Sequence, residues 1–385
     1  MKDWSKIYQS YSGCTNPAAE IKINGVSWKS ADTVITKVDV NTSVFGEAGT
    51  CLVEISCPFS CLSKGKIKLN PDFNKIKVGA KFEVSLGYNI SGKIKGKKVF
   101  SGFIASFDID VTRTATIVTV QGMDAKIWMM TNCKTEFNKK VKKYSQVAAN
   151  VYKSYSSKLS GKTINVKKEP SFESLIYQNN ESDFQFVLRA ANIVGAWFYI
   201  QSGKMYFVDP LHGKSVKVTF SPPSNGIISL RFTADIWGMP KSVKVIGKDN
   251  KNYKKFTTGS VNTSEAIGKG KSPSKLTKNI SSANVINIVD SSIVSANEAK
   301  FLAQAEMNKR EINFVSANLI TLGNPDLKLG DGVQIKNMGS PVDNNYVVLE
   351  INHSFDPKEF TTSFKLGTNR MQLSSGGASS LGGFI

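Results

Sequence analysis

Hydrophobic and polar residues alternate with a period of two along much of the chain, which predicts β-strands. Such runs occupy Thr33–Val40, Thr50–Ser56, Lys81–Gly87, Val99–Asp110 and Ala115–Gln121, separated by glycine, proline and asparagine. The pattern returns in Ser229–Thr233, Ser242–Ile246, Phe314–Thr321, Gly332–Ile335, Tyr346–Asn352 and Thr361–Leu366. Several short strands in one module favour a small antiparallel barrel or sandwich. We therefore expect two β-modules separated by a different kind of structure.

The two β-rich parts share a motif. Ile76-Lys77-Val78-Gly79 returns as Leu327-Lys328-Leu329-Gly330, and Phe82 and Val84 after the first copy match Val333 and Ile335 after the second. Farther on, Val99, Phe103 and Phe107 align with Val347, Ile351 and Phe355, and Ser106-Phe107-Asp108 recurs as Ser354-Phe355-Asp356. This alignment pairs His353 with Ala105 and makes Asp108 and Asp356 equivalent strand ends. A module built twice predicts a quasi-symmetric object rather than an active site.

Between the modules the period changes to that of a helix. Ala148, Val151, Tyr152 and Tyr155 share one helical face. Ser182 and Gln185 predict a capping box for a second helix that ends at Gly195, and Ser295 with Glu298 predicts another box farther on. Hairpin turns are expected at Asn24-Gly25 and at Ser202-Gly203, between Trp197–Ile200 and Met205–Val208.

These patterns divide the chain into six parts, which make a mainly β fold with an α+β insert. We expect an arm without periodicity at 1–17, a first barrel at 18–131, an α/β insert at 132–210, a second barrel at 211–247 and 311–368, a basic excursion with a helix at 248–310, and a flexible tail at 369–385. The stretch 248–284 is poor in large apolar residues and predicts an extended or mobile segment, with Val285–Val289 as a returning strand.

The bulk composition is that of a globular protein with room for several domains. The chain has 385 residues, 41% hydrophobic content and a mean hydropathy of −0.18. It contains no apolar run near the ~20 residues that cross a bilayer. Its first residues lack the apolar core of a signal peptide, so we expect synthesis and folding in the cytoplasm.

A net charge of +20 raises the question of nucleic-acid binding. Only five of the fifty basic residues are arginine, the side chain that phosphate and guanine recognition favours. Lysines concentrate in 134–169, with ten lysines against two acidic residues, and in 248–278, with eight against two. Two interpretations stay open: a solvated basic face, or a docking surface for an acidic partner.

Residues that could carry chemistry are few. His212 lies in a predicted turn, and His353 lies in a predicted strand at a partly solvated position, without a G-x-S-x-G elbow or an acidic partner in the pattern. Gly270-Lys271-Ser272 lacks the first glycine of a phosphate loop. Asp331, Asp343 and Asp356 are expected to cap turns. The five cysteines, Cys14, Cys51, Cys57, Cys61 and Cys133, lack zinc-site spacing. We assign no catalytic, cofactor-binding or metal residues and predict no cofactor and no enzymatic activity.

One segment resembles a known family. Gln178, Glu181, Ser182, Asp183, Phe186, Arg189 and Gly195 keep the pattern Q-x-x-E-S-D-x-x-F-x-x-R-L-x-x-x-x-G of the phage late-control D tail-hub proteins and of the N-terminal hub region of type VI secretion spikes. Ala190 stands where leucine is usual. Gly323-Asn324-Pro325 with Leu327–Asp331, the stretch Tyr346–His353, and Val99–Ile104 are also similar to the family. The resemblance covers about residues 20–370.

The resemblance implies a baseplate hub of a contractile phage tail or phage-tail-like injection particle. Such hubs carry two barrels similar to tail-tube subunits and form homotrimers with pseudo-six-fold symmetry. They join the hexameric tube ring to a trimeric spike, contact other baseplate proteins, and enclose a lumen that can pass DNA or other cargo. The protein would then be made in a bacterial cytoplasm and incorporated into the particle. The chain shows no β-helical spike region or recognisable lysozyme domain, so those would be separate polypeptides.

Two other functions stay open on the sequence. Some tail-tip proteins cut peptidoglycan, so a tail-associated cell-wall hydrolase is one alternative, although no catalytic constellation supports it. A nucleic-acid-binding module driven by the positive charge is the other, and its affinity would fall steeply with salt.

Overall fold

The computed structural model describes residues 2–28, 33–57, 62–63, 66–67, 71–112, 115–137, 141–172, 175–210, 215–223, 226–248, 256–276 and 285–373. These residues fold mainly into antiparallel β-structure with a few helices, as the sequence predicts. No helix among them is both long and apolar enough to span a bilayer.

Strands outnumber helices along the chain. In chain order the strands are β1 (Lys2–Asp3), β2 (Pro17–Ile23), β3 (Val26–Ser27), β4 (Val34–Ser43), β5 (Thr50–Cys57), β6 (Leu62–Ser63), β7 (Lys66–Ile67), β8 (Lys81–Ile90), β9 (Lys93–Val111), β10 (Thr116–Met123), β11 (Cys133–Phe137), β12 (Gly161–Asn165), β13 (Tyr177–Ser182), β14 (Trp197–Gln201), β15 (Lys204–Val208), β16 (Val216–Phe220), β17 (Ile227–Ala234), β18 (Ser242–Lys248), β19 (Phe256–Val261), β20 (Val285–Val289), β21 (Val315–Leu322), β22 (Gly332–Ile335), β23 (Asn344–Phe355) and β24 (Phe360–Thr368). The helices are α1 (Trp4–Ser10), α2 (Lys126–Met129), α3 (Tyr144–Ser154), α4 (Asp183–Val194), α5 (Pro273–Leu276) and α6 (Ala296–Glu311), with 3₁₀ turns at Ser12–Cys14 and Pro71–Lys75.

Two five-stranded modules with the same strand order form the largest sheet. The first runs β4-β5-β10-β9-β8 and the second runs β17-β21-β24-β23-β22. Both interrupt the ladder with a bulge at the matching place of the first strand, Thr36 in β4 and Ile228 in β17. Both have a second bulge in the fourth strand, Ala105 in β9 and Leu349 in β23. The duplication seen in the sequence is therefore a duplication of topology and of local irregularities.

The glycine turns of the repeated motif have the same hydrogen bonds in both modules. Gly79 N–H donates to the carbonyl of Ile104 at 2.8 Å, and Gly330 N–H donates to the carbonyl of Val348 at 2.9 Å. The two glycines have φ of 81° and 78°, a backbone region that residues with a Cβ rarely adopt. The turn predicted from Lys-x-Gly is thus confirmed in both copies.

The alignment of the fourth strands drawn from the sequence is wrong by four residues. Ile104 and Val348 make equivalent bonds to the glycine turns, so Phe103 corresponds to Val347. His353 then corresponds to Ile109, not to Ala105. Asp108 lies inside β9, whereas Asp356 follows β23, so the two are not equivalent strand ends. A shift of four residues leaves a period-two pattern unchanged, so alternation alone could not fix this register.

The modules join edge to edge within the chain through β4 and β23. These strands pair antiparallel from Ser43 opposite Glu350 to Val38 opposite Phe355. The pairing merges both modules into one open sheet, which β2 and β3 extend at one end and β16 and β1 at the other. Within the described residues no strand pairing closes this sheet on itself.

The insert after the first module packs its helices against a small three-stranded sheet, β12-β15-β14. The capping box of α4 is confirmed, since Ser182 Oγ accepts from Gln185 N and Gln185 Oε1 accepts from Ser182 N. Gly195 ends the helix with φ 65°. A Cβ at Gly195 would lie 2.8 Å from Cβ and 2.9 Å from Cα of Ala305 on α6, so the glycine permits a close approach between the two helices.

The excursion contains a separate folded unit. Strands β19-β18-β20 form a sheet that packs on α6 around Val243, Val245 and Ile293. The prediction that Ser242–Ile246 belongs to the second barrel is wrong, because β18 pairs only with β19 and β20 among the described strands. The returning strand at Val285–Val289 is confirmed, whereas residues 249–255 and 277–284 of the excursion lie outside the described residues.

The N-terminal arm also differs from the sequence prediction. Residues 4–10 form α1, and Asp3 caps it by accepting from Ser5 N at 2.9 Å. Trp4 is fully buried against Phe220 of β16, with ring centroids 5.4 Å apart. Trp4, Ile7, Tyr8 and Tyr11 have the i, i+3, i+4 and i+7 spacing of one helical face, which the prediction of an arm without periodicity missed. Burial of Trp4, Ile7 and Tyr11 stabilises this short helix.

Replacement of Gly195 by alanine should destabilise the fold by about 2–4 kcal/mol, because strain at positive φ adds to the clash with Ala305. Gly25→Ala is the matched control: Gly25 has φ 83° and no atom within 4 Å of its Cβ position, so it should cost only about 1 kcal/mol. Urea denaturation of the two variants measures both values. Equal losses would show that the α4–α6 contact does not constrain this position.

The pKa of His353 should make stability depend on pH. Its side chain is 4% exposed, and burial lowers its pKa from 6.5 to about 3. In the unfolded chain the ring binds a proton below pH 6.5 that the folded state does not bind until about pH 3, so stability falls as pH falls through this window.

His353→Gln should reduce that loss by about 2–3 kcal/mol between about pH 6.5 and about pH 4.5, at about 1.4 kcal/mol per pH unit. Denaturation of wild type and variant at both pH values gives the difference, with carboxylate effects common to both. Identical pH dependence in the two proteins would contradict the buried neutral histidine.

Candidate assembly surfaces

The hub-like sequence motif is assembled around the start of α4. Asp183 is 3% exposed, and its Oδ2 accepts from Lys134 Nζ and from Tyr155 OH, each at 2.8 Å. Gln178 Nε2 donates to the other oxygen of Asp183 at 3.2 Å and to the carbonyl of Glu181 at 2.7 Å. The carboxylate sits at a helix N-terminus with its acceptors occupied, a structural arrangement.

Arg189 binds back onto the same motif. Its guanidinium donates to both carboxylate oxygens of Glu181, with Nη2–Oε1 at 2.6 Å, and to the carbonyl of Tyr177. The ring of Phe186 lies 5.1 Å beneath it. Hydrogen bonds to Glu181 raise the pKa of Arg189 although burial lowers it. The motif residues therefore clamp β13 to α4, and the polar atoms of Asp183 and Arg189 are engaged in these structural bonds.

The histidine and the carboxylates that the sequence singled out also have structural positions. His353 Nδ1 lies 2.9 Å from Thr362 Oγ1 in the core, so the partly solvated position predicted for it is wrong. The carboxylates of Asp331, Asp343 and Asp356 accept backbone N–H bonds in turns, as predicted. His212 lies outside the described residues.

The cysteines give no sign of a metal centre in the part of the chain that the structure describes. Cys51 and Cys57 are buried in the core of the first module, and burial raises the pKa of the Cys51 thiol. Cys61 is outside the described residues. Among the described residues no three His, Cys, Asp or Glu side chains are close enough to share a metal ion.

The junction of β4 with β23 joins the two modules through side-chain contacts on both faces of the sheet. On its polar face Ser354 Oγ donates to Asp39 Oδ1 at 2.8 Å, and Asn352 Nδ2 donates to Asn41 Oδ1. On the opposite face Val40 of β4 lies directly opposite His353 of β23, and both side chains are buried. The junction thus combines backbone pairing, a polar row and an apolar row.

Each module has one edge that the junction leaves open. In the second module β17 pairs with β21, and among the described residues no strand pairs with its other side. In the first module the edge of β9 that faces β8 is paired only as far as Phe103. Beyond it Ile109 and Val111 are each 38% exposed. Unpaired strand edges are templates for pairing with another chain.

A turn after the first strand of each module has the same local structure. Phe45 N donates to Ser43 Oγ at 3.1 Å, and Trp237 N donates to Asp235 Oδ1 at 2.7 Å. Gly46 and Gly238 follow, with φ of 92° and 73°. The turn of the first module packs at the junction, where Val44 N donates to the carbonyl of Leu349 at 3.0 Å.

In the second module the same turn is open, and Trp237 is 88% exposed. This turn was not predicted from the sequence. Its signal is a shared pattern of a polar residue, an aliphatic, an aromatic and glycine: Ser43-Val44-Phe45-Gly46 and Asp235-Ile236-Trp237-Gly238. The changed polar residue and the distance from the repeated glycine motif concealed it.

Solved structures with the same fold come from phage tails and a secretion system. The 43 kDa tail protein of prophage MuSo2 from Shewanella oneidensis superposes with a TM-score of 0.65 at 16% identity, covering 92% of this chain and 100% of the other. A tail protein of Neisseria meningitidis gives 0.64 at 11%, covering 91% and 96%. The Escherichia coli c3393 protein, described as a type VI secretion component similar to T4 tail proteins gp27 and gp5, gives 0.56 at 10%, covering 92% and 79%.

These identities establish a shared fold over nearly the whole chain. No curated protein matches the sequence. A family model described as the Alg8 N-terminal domain matches residues 65–356, well over half of the chain, which include the insert and the parts of both modules from β8 to β23. That description names a domain and no activity. The chain belongs to the Alg8 N-terminal domain family.

Proposed function

We propose that the protein is a structural baseplate hub of a contractile phage tail or of a phage-tail-like injection particle. It acts as a homotrimer that joins the hexameric tail-tube ring to a trimeric spike, among other baseplate proteins, and it catalyses no reaction. The fold that it shares with tail proteins and with a type VI secretion component supports this role. In this proposal each module is the counterpart of one tail-tube subunit.

The duplication with a head-to-tail junction is the observation that carries the proposal. The modules have the same strand order and the same two bulges, and the first strand of one pairs with the fourth strand of the other. Among the described residues, each chain then keeps an unpaired edge on the first strand of its second module and on the fourth strand of its first module. An interface of this kind repeats from copy to copy and forms a ring where the rotation closes.

Three chains in such a ring present six similar modules. A hexameric tube can bind this face with little symmetry conflict, while a trimeric spike can bind the opposite face through the three-fold differences between modules. The insert and the excursion, which occur once per chain, supply those differences.

The assembly is tested by its mass and its images. Full-length protein produced with the tube and spike proteins of its particle should form complexes whose native mass includes three copies of the chain, each 42.1 kDa, and should give end-on electron micrographs with six lobes. A stable monomer, both alone and with those partners, would remove the proposal.

The absence of catalysis has its own test. His353 is held in the core by Thr362, so it cannot reach a substrate as a base without unfolding of the second module. We expect no clearing of peptidoglycan in a zymogram of the purified protein. Clearing that disappears in His353→Gln would favour the cell-wall hydrolase instead.

A further inference from the structure

The contact between neighbouring copies can be derived from the contact inside one copy. In the chain, the first strand of the first module, β4, pairs with the fourth strand of the second module, β23. The corresponding strands are β17, the first of the second module, and β9, the fourth of the first module. Within the described residues, both have an open edge on the side where β4 and β23 meet.

The matched bulges fix the correspondence residue by residue. In the first strands, Thr36 corresponds to Ile228, so Val38 to Ser43 correspond to Leu230 to Asp235. In the fourth strands, Leu349 corresponds to Ala105, so Glu350 to Phe355 correspond to Ser106 to Val111. The intrachain register can therefore be transferred without adjustment.

We infer that β17 of one copy pairs antiparallel with the β9 edge of a second copy, from Leu230 opposite Val111 to Asp235 opposite Ser106, with the Trp237 turn as its anchor. This inference rests on the proposed ring assembly and specifies its interface. The intrachain junction uses neither of these two edges, because it pairs β4 with β23.

The transferred register brings opposite charges together. Asp39 and Ser354 hydrogen-bond across the intrachain junction, and their counterparts are Arg231 and Asp110. Arg231 and Asp110 are both exposed in the single chain. Directly opposed residues in an antiparallel pair have side chains close enough for an ion pair. Charge complementarity therefore favours a second copy as the partner of these edges.

The apolar face of the register is complementary as well. Val40 lies opposite His353 in the junction, and both are buried. Of their counterparts in the single chain, Phe232 is partly buried and Ile109 is 38% exposed. Pairing of the open edges would complete this apolar row, as the junction does inside the chain.

The Trp237 turn extends the same contact. Val44 N bonds to the carbonyl of Leu349 in the junction, so Ile236 N faces the carbonyl of Ala105 in the neighbouring copy. The ring of Phe45 lies 5.6 Å from Lys365 Nζ, and the counterparts of these residues are Trp237 and Gln121. A tryptophan exposed at 88% then becomes an interface anchor, the position where this residue contributes most.

Charge reversal tests the ion pair. Arg231→Asp and Asp110→Arg should each weaken self-association at least about tenfold, and the double variant should recover most of it, because the charges are opposite again. Glu359→Arg, which changes an exposed carboxylate outside both edges, is the matched control and should associate like wild type. Trp237→Ser should weaken association by about thirtyfold. Native mass spectrometry over a concentration series measures each, with equal melting temperatures verifying the fold.

Disulfide trapping tests the register. Asp108 and Thr233 correspond to Asn352 and Asn41, whose side chains touch, so Asp108→Cys with Thr233→Cys should give a covalent link between copies on oxidation. The pair Asp110→Cys with Thr233→Cys is shifted by two residues on the same face and should link far less, because diagonal neighbours lie about 7–8 Å apart. Wild-type protein oxidised in the same way measures the linking that its native cysteines give.

The outcomes separate the interface from the function. Trimers that persist in both single charge reversals, or equal linking of the matched and shifted pairs, would overturn this interface and leave the hub role standing. Wild type that stays monomeric with its tube and spike partners would overturn both. Loss in the single variants with recovery in the double variant establishes the pairing.

Discussion

The pairing of β4 with β23 is the interaction on which the rest of the molecule depends. A sheet edge exposes a row of unpaired N–H and C=O groups, which must be paired, covered or blunted. One chain with two equal modules can pair only half of its module edges internally, because the first strand of one module meets the fourth strand of the other only once. The same geometry that makes the fold stable therefore leaves β17 and β9 open. In the proposed ring, another copy supplies the second half of the pairing.

Single hydrogen bonds from the first module and the insert reinforce this junction. Tyr88 OH donates to the carbonyl of Gly323 at 3.1 Å, and Tyr199 OH donates to the carbonyl of Leu329 at 3.2 Å. Both acceptors lie in the segment between β21 and β22. A Cβ at Gly323 would lie 2.0 Å from Cδ1 of Phe360, so no larger residue fits there without movement. The motifs that resemble tail hubs thus fix the position of one module against the other.

The sequence predicts local features well and long-range partners poorly. The glycine turn, the box at Ser182 and the hairpin at Ser202-Gly203 depend on neighbours within a few residues, and all three are confirmed. The pairing of β18 and the register of β9 against β23 depend on residues far apart in the chain. Alternation is the same in every register shifted by an even number of residues, so it carries no information about these pairings. The Trp237 turn was missed for a related reason, because its pattern can be recognised only by comparison with the distant segment Ser43–Gly46.

The charge of the chain takes a different meaning once the sheet is considered. On its strands lysines pair with neighbouring carboxylates: Lys37 with Asp39 at 3.0 Å, Lys98 with Glu83 at 3.0 Å and Lys365 with Glu350 at 2.7 Å. Arg231 and Asp110 would add one more balanced pair at the proposed interface. The sequence concentrates its unbalanced lysines elsewhere, in 134–169 and 248–278, within the insert and the excursion. A surface with balanced charges holds a polyanion weakly, whereas concentrated lysines attract one. These two segments carry +14 of the net charge of +20, and in the proposed hub they are the parts that distinguish three-fold from six-fold partners.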